Sequence, residues 1–191
     1  MEIILASASP RRRELLERSG VSVRVEPADI DESHRDGESA RDYVHRMACT
    51  KAAHVAEKHG TECLCILAAD TIVVRDGEIL GKPLDRGAAA EMLRSLSGRG
   101  HEVMTAVCAV CPGLGRTESF VCETHVQFGD IHSEQIDSYV ASGEPMDKAG
   151  AYGIQGGAAG FVERIEGSYT NVVGLPLYET LQLLERLSDK I

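Results

Sequence analysis

The chain opens with a short apolar run, EIILAS, that passes directly into SPRRRELLERSG. The run reads as a buried strand. Ser9 follows as a helix N-cap, and Pro10 suits the first helical position because its N–H is not needed there. Gly20 closes the helix as the residue that accepts a left-handed backbone. Its apolar stripe is thin, Leu15 and Leu16, so the helix lies on the surface of a core. A buried strand leading straight into a covering helix constrains the chain to a layered α/β arrangement.

The remaining segments extend that pattern. VSVRVEP alternates like a half-exposed strand and leads into the acidic loop ADIDESHRDGE. A second helix starts with Ser39 as cap and continues to about His59, with Tyr43, Val44, Met47, Ala48 and Val55 on its buried face. CLCILAAD is a continuous apolar strand ending in an acid, in which Cys63 and Cys65 share one face as small core residues. TIVVRDGEILGKP follows, with Asp76-Gly77 as a two-residue hairpin turn. A third helix covers about Arg86 to Leu96 and ends at SGRG. HEVMTAVCAVC and ESFVCETHVQF read as paired strands joined by PGLGR, and a short helix runs from Ser133 to Gly143. FVERIEGSYTNVV reads as a further hairpin. LPLYETLQLLERL reads as a closing amphipathic helix with Pro176 near its start. Strands alternate with helices early and hairpins dominate late, which predicts a mixed sheet flanked by helices. No linker divides the 191 residues, so a single domain over 1–191 is expected, long enough to bury a real core.

Thirty Asp and Glu against twenty Lys and Arg give a formal charge of −10. That balance argues against a nucleic-acid polymer as partner, which requires a broad basic surface. A small anion remains compatible if a few cations are concentrated in one place. The start lacks the basic flank of a signal peptide, and no apolar stretch approaches the ~20 residues of a membrane span. No membrane association is expected, and the cytoplasm is the expected location. The six cysteines do not form a disulfide framework. Cys108 and Cys111 have C-x-x-C spacing, which raises zinc or redox chemistry, but no second pair at ligand spacing follows. Reduced structural thiols are the favoured reading. The histidines show no H-E-x-x-H pairing.

Several stretches carry residues suited to chemistry. In ASASPRRREL, a turn entering a helix presents free N–H groups and the positive end of the helix dipole. Ser7 and Ser9 add hydroxyls, and Arg11 or Arg12 adds a planar bidentate cation, together making a phosphate site. The alternative is a simple Ser9 cap with solvated arginines, mildly disfavoured because first-turn cations oppose the dipole. In AADT, Asp70 stands where open α/β sheets place ligands, and it either holds a metal or water or caps a turn. In DIDES, Asp29, Asp31 and Glu32 form a loop that is either solvated or a source of a metal ligand. Lys51 lies mid-helix, and Lys82 sits in a rigid Gly81–Pro83 frame. DKAGAYGIQGG lets backbone approach a flat ligand, with Gln155 offering donor and acceptor to a base edge, or is a plain flexible loop. None of these is a Walker loop or a dinucleotide fingerprint.

Taken together, LASASPRR, ADTIVV, GEILGKP, LSGRGHEVMTAV, EPMDKAGAYGIQG and VVGLPL occur in the order of the Maf family of nucleoside triphosphate pyrophosphatases, which the chain resembles from Ile3 to about Leu184. Arg11, Thr71 and Gln155 stand where the branch acting on 7-methyl-GTP carries Trp, the Gln of SDQ and a KSEG-like loop, so the resemblance is to the dTTP/UTP branch. It implies hydrolysis between the α and β phosphates to a monophosphate and pyrophosphate, with Mg²⁺ or Mn²⁺. It implies an elongated mixed α/β sheet in two lobes around a cleft, related to inosine triphosphate pyrophosphatases, and a homodimer. By motif position, Asp70 is the implied proton acceptor; the alternative is that it is purely a metal ligand, with Glu32 as the other ligand. Ser7, Arg12, Glu32, Lys51 and Lys82 are implied to line the triphosphate and metal site, and Arg11, Thr71 and Gln155 to select the base. A non-catalytic nucleotide-binding regulator of cell division or septum formation is the alternative. The joint presence of acids, cations and the glycine-rich loop speaks against it.

Overall fold

A computed structural model describes residues 2–60 and 65–188, so Cys63 of the expected Cys63–Cys65 pair lies outside the described residues. Among them, seven strands form one mixed sheet: β1 (Glu2–Leu5), β2 (Ser22–Val25), β3 (Cys65–Arg75), β4 (Glu78–Leu80), β5 (Gly100–Cys111), β6 (Arg116–Phe128) and β7 (Val162–Glu166). Their order is β2-β1-β3-β5-β6-β7, with β4 paired to β3 off this path. The helices are α1 (Pro10–Arg18), α2 (Ala40–His59), α3 (Arg86–Leu96), α4 (Ser133–Ala141), α5 (Tyr169–Val173) and α6 (Leu177–Ser188). The expected mixed sheet with flanking helices is therefore present. The chain divides into two compact units, with boundaries after Asp70 in β3, Met104 in β5, Cys122 in β6 and Val173.

The first unit comprises residues 1–70, 105–122 and 174–191. Here β1 runs parallel to both β2 and β3, with Leu5 opposite Val25 and Leu67. A parallel strand with neighbours on both sides is covered on both faces, which is why Ile3, Ile4 and Leu5 are all apolar and at most 1% exposed. On one face Ile3, Leu5, Leu67 and Val107 pack with Leu16 of α1 and with Leu183 and Leu187 of α6. Each such side chain contributes roughly 1.5–3 kcal/mol by leaving water. Helix α2 begins as read, with the Ser39 hydroxyl accepting the Asp42 N–H at 3.1 Å. It buries Val44, Met47, Ala48 and Val55, and also Ala52 and Ala56.

Ser9 occupies the N-cap position of α1, but its side chain makes no capping bond. Instead its N–H donates to Ser7 Oγ at 3.3 Å. Pro10 brings no N–H to satisfy, and the hydroxyl that organises the turn is that of Ser7. Arg13 and Arg18 pair with Glu17 and Glu14 on the exposed face of α1. Gly20 ends the turn at φ 81°.

The second unit comprises residues 71–104 and 123–173. Asp70 does not end its strand: β3 continues to Arg75, because Thr71, Ile72, Val73 and Val74 are β-branched and favour the extended backbone. Asp76 (φ 52°) and Gly77 (φ 82°) then turn the chain into β4 with both central residues left-handed, as a two-residue hairpin requires. Gly150 approaches β3 so closely that a Cβ there would stand 2.9 Å from Val73 Cγ2. Its N–H donates to the Gly81 carbonyl at 3.1 Å, which pins the Gly81–Pro83 loop.

Residues 162–173 are not a hairpin. Strand β7 pairs antiparallel with β6, and the chain then enters α5. Ser168 Oγ accepts the Asn171 N–H at 3.2 Å, and buried Asn171 donates through Nδ2 to Val103 O and Thr124 Oγ1, both at 2.9 Å. This capping and tethering overrides the strand propensity of Tyr169, Thr170, Val172 and Val173.

His101 is 2% exposed. Its Nε2 lies 2.8 Å from the Tyr152 hydroxyl, and its ring meets Phe128 edge-on at 4.9 Å. Burial, with the nearby His125 adding, pulls its pKa from 6.5 down to about 4. The unfolded chain therefore takes up a proton below pH 6.5 that the folded chain refuses. Stability is whole above that pH and falls between about 6.5 and 4, by on the order of 3 kcal/mol. Urea unfolding across this window should show a fall that is absent in His101→Asn, which does not titrate.

Candidate functional site

The residues singled out in the sequence divide between the units. Ser7, Arg11, Arg12, Glu32, Lys51 and Asp70 belong to the first, and Thr71, Lys82 and Gln155 to the second.

In the first unit the parallel strands deliver two of the groups. The turn after β1 carries Ser7, and the end of the apolar half of β3 carries Asp70. The first turn of α1 places Arg12 so that Nε donates to Gly174 O at 2.8 Å and Nη1 to Ser7 Oγ at 2.9 Å. The planar guanidinium is thus oriented from two sides, which a lysine in its place would not be. Burial lowers the Arg12 pKa, opposed by the carboxylates of Asp70 and Glu32, with Arg11 repelling it. Arg12 and the two acids therefore act within one electrostatic field.

Lys51 comes from α2. Its Nζ donates to Asp70 Oδ1 at 2.6 Å and pairs with Glu32 Oε1 at 2.7 Å. Lys51 and Asp70 side chains are 12% and 15% exposed, so an unpartnered charge would be costly. Desolvation alone would lower the Lys51 pKa, but the two carboxylates together raise it, and the ammonium stays charged. Asp70 Oδ2 takes no protein hydrogen bond among the described residues.

Of the three acids in DIDES, Glu32 alone joins this group. Asp31 instead accepts both the N–H and the hydroxyl of Ser33 at 2.9 Å, and Asp29 is exposed. Sequence reasoning missed what holds Glu32 in place. Arg46 grips Glu38 with two bonds of 2.6 Å and donates through Nη2 to Ser33 O at 3.0 Å. Tyr43 donates its hydroxyl to Glu32 O at 2.9 Å. The Arg46 bonds pull the Glu38 carboxyl down to about 2, and burial with the Asp70 and Glu32 charges raises the Tyr43 hydroxyl. Tyr43 and Arg46 stand three apart on α2, hence on one face, which was the available signal.

A divalent cation fits this donor set. Two carboxylate oxygens already converge on one positive centre, the Lys51 ammonium, and Mg²⁺ is bound through one or two carboxylates plus substrate phosphates rather than in an all-protein cage. Among the described residues no three His, Cys, Asp or Glu side chains form a metal cluster.

In the second unit, Thr71 follows Asp70 in β3 and is half-buried, and Lys82 is exposed on the loop pinned by Gly150. Gln155 is exposed on a turn held by one carboxylate. Glu144 Oε1 accepts the Tyr139 hydroxyl at 3.0 Å, Glu144 Oε2 accepts the Gly157 N–H at 3.1 Å, and Tyr139 Oη accepts the Gly153 N–H at 3.1 Å. A Cβ at Gly156 would lie 2.0 Å from Glu144 Oε1. That glycine is explained by a close approach to the protein's own side chain.

The C-x-x-C spacing does not make a single site. Three residues apart on β5, Cys108 and Cys111 point to opposite faces, and they associate with Cys49 and Cys65 respectively. None of the described cysteines is in a disulfide.

If the Arg46–Glu38 grip positions Glu32, then Arg46→Ala should raise the metal concentration needed for half-maximal activity by about 10-fold or more. Titration with Mn²⁺ checks this, and Arg46→Lys should not restore the wild-type value.

An α/β sheet that brings a lysine-bridged carboxylate pair beside a serine- and arginine-lined helix turn defines a protein equipped to hold a polyanion together with a cation. The comparisons with known proteins place it more narrowly. Residues 2–187 match the model of the Maf-like proteins, and the chain belongs to that family. It is 49% identical over 99% of its length to a dTTP/UTP pyrophosphatase of Hahella chejuensis, covering 94% of that protein. It is 51% identical to dTTP/UTP pyrophosphatases of Anaeromyxobacter dehalogenans and Shewanella oneidensis, over 96% of its own length and 93% and 97% of theirs. A HAM1 protein from Coxiella burnetii shares the fold, with a TM-score of 0.51 at 16% identity, covering 97% of this chain and 99% of that one. No helix among the described residues is long and apolar enough to cross a membrane.

Proposed function

We propose that this chain is a nucleoside triphosphate pyrophosphatase that hydrolyses dTTP and UTP, and related modified pyrimidine triphosphates, to the monophosphate and pyrophosphate. The observation that carries the reading is the convergence of Asp70 and Glu32 on Lys51, next to Arg12. The names of relatives at about half identity over nearly the whole chain support it.

Attack of water on the α phosphorus builds negative charge on the equatorial and leaving oxygens, so positioning and electrostatic stabilisation dominate the barrier. Arg12, held by Ser7 and Gly174, presents its fork to phosphate oxygens. Lys51 fixes Asp70 through Oδ1 and leaves Oδ2 to take the proton of the attacking water. Glu32 and Asp70 would hold a Mg²⁺ or Mn²⁺ ion, which when bound supplies charge neutralisation on the phosphate oxygens. Lys82 is assigned to the triphosphate, and Arg11, Thr71 and Gln155 to the base. The enzyme is assigned to the cytoplasm, as a homodimer acting through one Maf-like domain.

Incubation with a panel of triphosphates plus Mn²⁺ should give pyrophosphate from dTTP and UTP. Release from 7-methyl-GTP alone overturns the substrate assignment, and tight binding of dTTP without turnover would instead favour the regulator. In ¹⁸O-labelled water the label should appear in the monophosphate. Asp70→Asn should lower kcat by about 10²–10⁴-fold with the melting temperature near wild type, as expected for loss of a general base; a variant with wild-type kcat removes Asp70 from that role.

A further inference from the structure

The first unit holds a second cluster of titratable side chains that phosphate chemistry does not use. Cys49 lies on α2 one turn after His45, and its sulfur is 3.6 Å from His45 Nε2. The same nitrogen is 2.9 Å from Ser119 Oγ on β6. Cys108 on β5 and Ser119 are the other polar neighbours of the Cys49 sulfur. Cys49 is half-buried and open to small molecules, whereas Cys108 is wholly buried beneath it.

These neighbours favour the Cys49 thiolate. The hydrogen bond from Cys108 contributes most, burial opposes it, and His45 and Ser119 add to it, so the Cys49 pKa is drawn down to about 6. Cys108 keeps its proton, its own pKa raised by donating that bond and by burial. A nucleophile beside a base, with a second thiol in contact, is the arrangement of reactive rather than structural cysteines. The other thiol pair, Cys65 and Cys111, lies 3% and 4% exposed in the apolar core, closed to a dissolved oxidant.

We propose that Cys49 is a modification site that reacts with hydrogen peroxide or a soft electrophile, and that Cys108 resolves its oxidised form as a disulfide. The thiolate attacks one peroxide oxygen and the O–O bond breaks. The departing oxygen leaves as hydroxide and takes up the proton that Cys49 released, leaving a sulfenic acid and water. The Cys108 sulfur then displaces the sulfenic oxygen, which leaves as a second water with the Cys108 proton. One peroxide is reduced by two electrons as two thiols become one disulfide. Cys49 precedes Lys51 by two residues on α2, so the cross-link ties the helix that carries the lysine to β5.

Reduced full-length protein is treated with limiting iodoacetamide from about pH 5 to 9, and every cysteine is mapped by peptide mass spectrometry. Cys49 should be alkylated ahead of every other cysteine, with its rate half-maximal near pH 6. His45→Gln should move that midpoint upward. After peroxide, a non-reducing digest should contain a Cys49–Cys108 linked peptide, and Cys108→Ser should instead accumulate a dimedone adduct at Cys49. First alkylation at another cysteine, or a midpoint at the ordinary thiol pKa, overturns the reactive site. A dimedone adduct at wild-type Cys49 with no linked peptide overturns the role of Cys108.

Discussion

The Lys51 ammonium held between Asp70 and Glu32 is the interaction on which the candidate site depends. Two carboxylates that converge on one point repel each other, and the ammonium held between them offsets that repulsion. Lysine is that cation in the protein by itself, and its pKa is raised rather than lowered because the acids outweigh its desolvation. A site built this way holds its two acids on one fixed ammonium. It also explains how a chain of net charge −10 can receive a polyanion: the few cations that matter are concentrated and fixed.

That centre is kept in place by the structure around it. β1 and residues 65–69 of β3 are apolar on both faces, with Ser7 in the turn that follows β1 and Asp70 within β3. Glu32 lies on irregular backbone and needs its own supports, the Arg46–Glu38 grip and the Tyr43 hydroxyl. The second unit solves the same problem twice, with Gly150 fixing the Lys82 loop and Glu144 fixing the Gln155 turn. In each case a loop residue is held through hydrogen bonds from a partner elsewhere in the chain.

Regular elements were legible in the sequence because period and punctuation agree there. The α3 bounds and the Asp76-Gly77 hairpin stand where the sequence put them. What failed was decided by side chains acting at a distance. The 162–173 segment has strand-like composition, yet the Ser168 cap and the reach of Asn171 to Val103 and Thr124 make it a helix. Asp70 looked like a strand end because an acid interrupts an apolar run, but the β-branched residues after it carry β3 onward. Lys51, Asp70 and Glu32 were named from the sequence, whereas their joining on one nitrogen was not, since three segments far apart in the chain must fold before it exists. The supporting bonds of Tyr43, Arg46 and Glu144 went unread for the same reason.

The most direct measurement is the rate of pyrophosphate release from dTTP by Lys51→Met at saturating Mn²⁺, with the melting temperature as a check on folding. The account predicts a fall in kcat of about 10²–10³-fold in a folded protein, the size expected when one preorganised electrostatic group is removed. A folded Lys51→Met protein with wild-type kcat would contradict it.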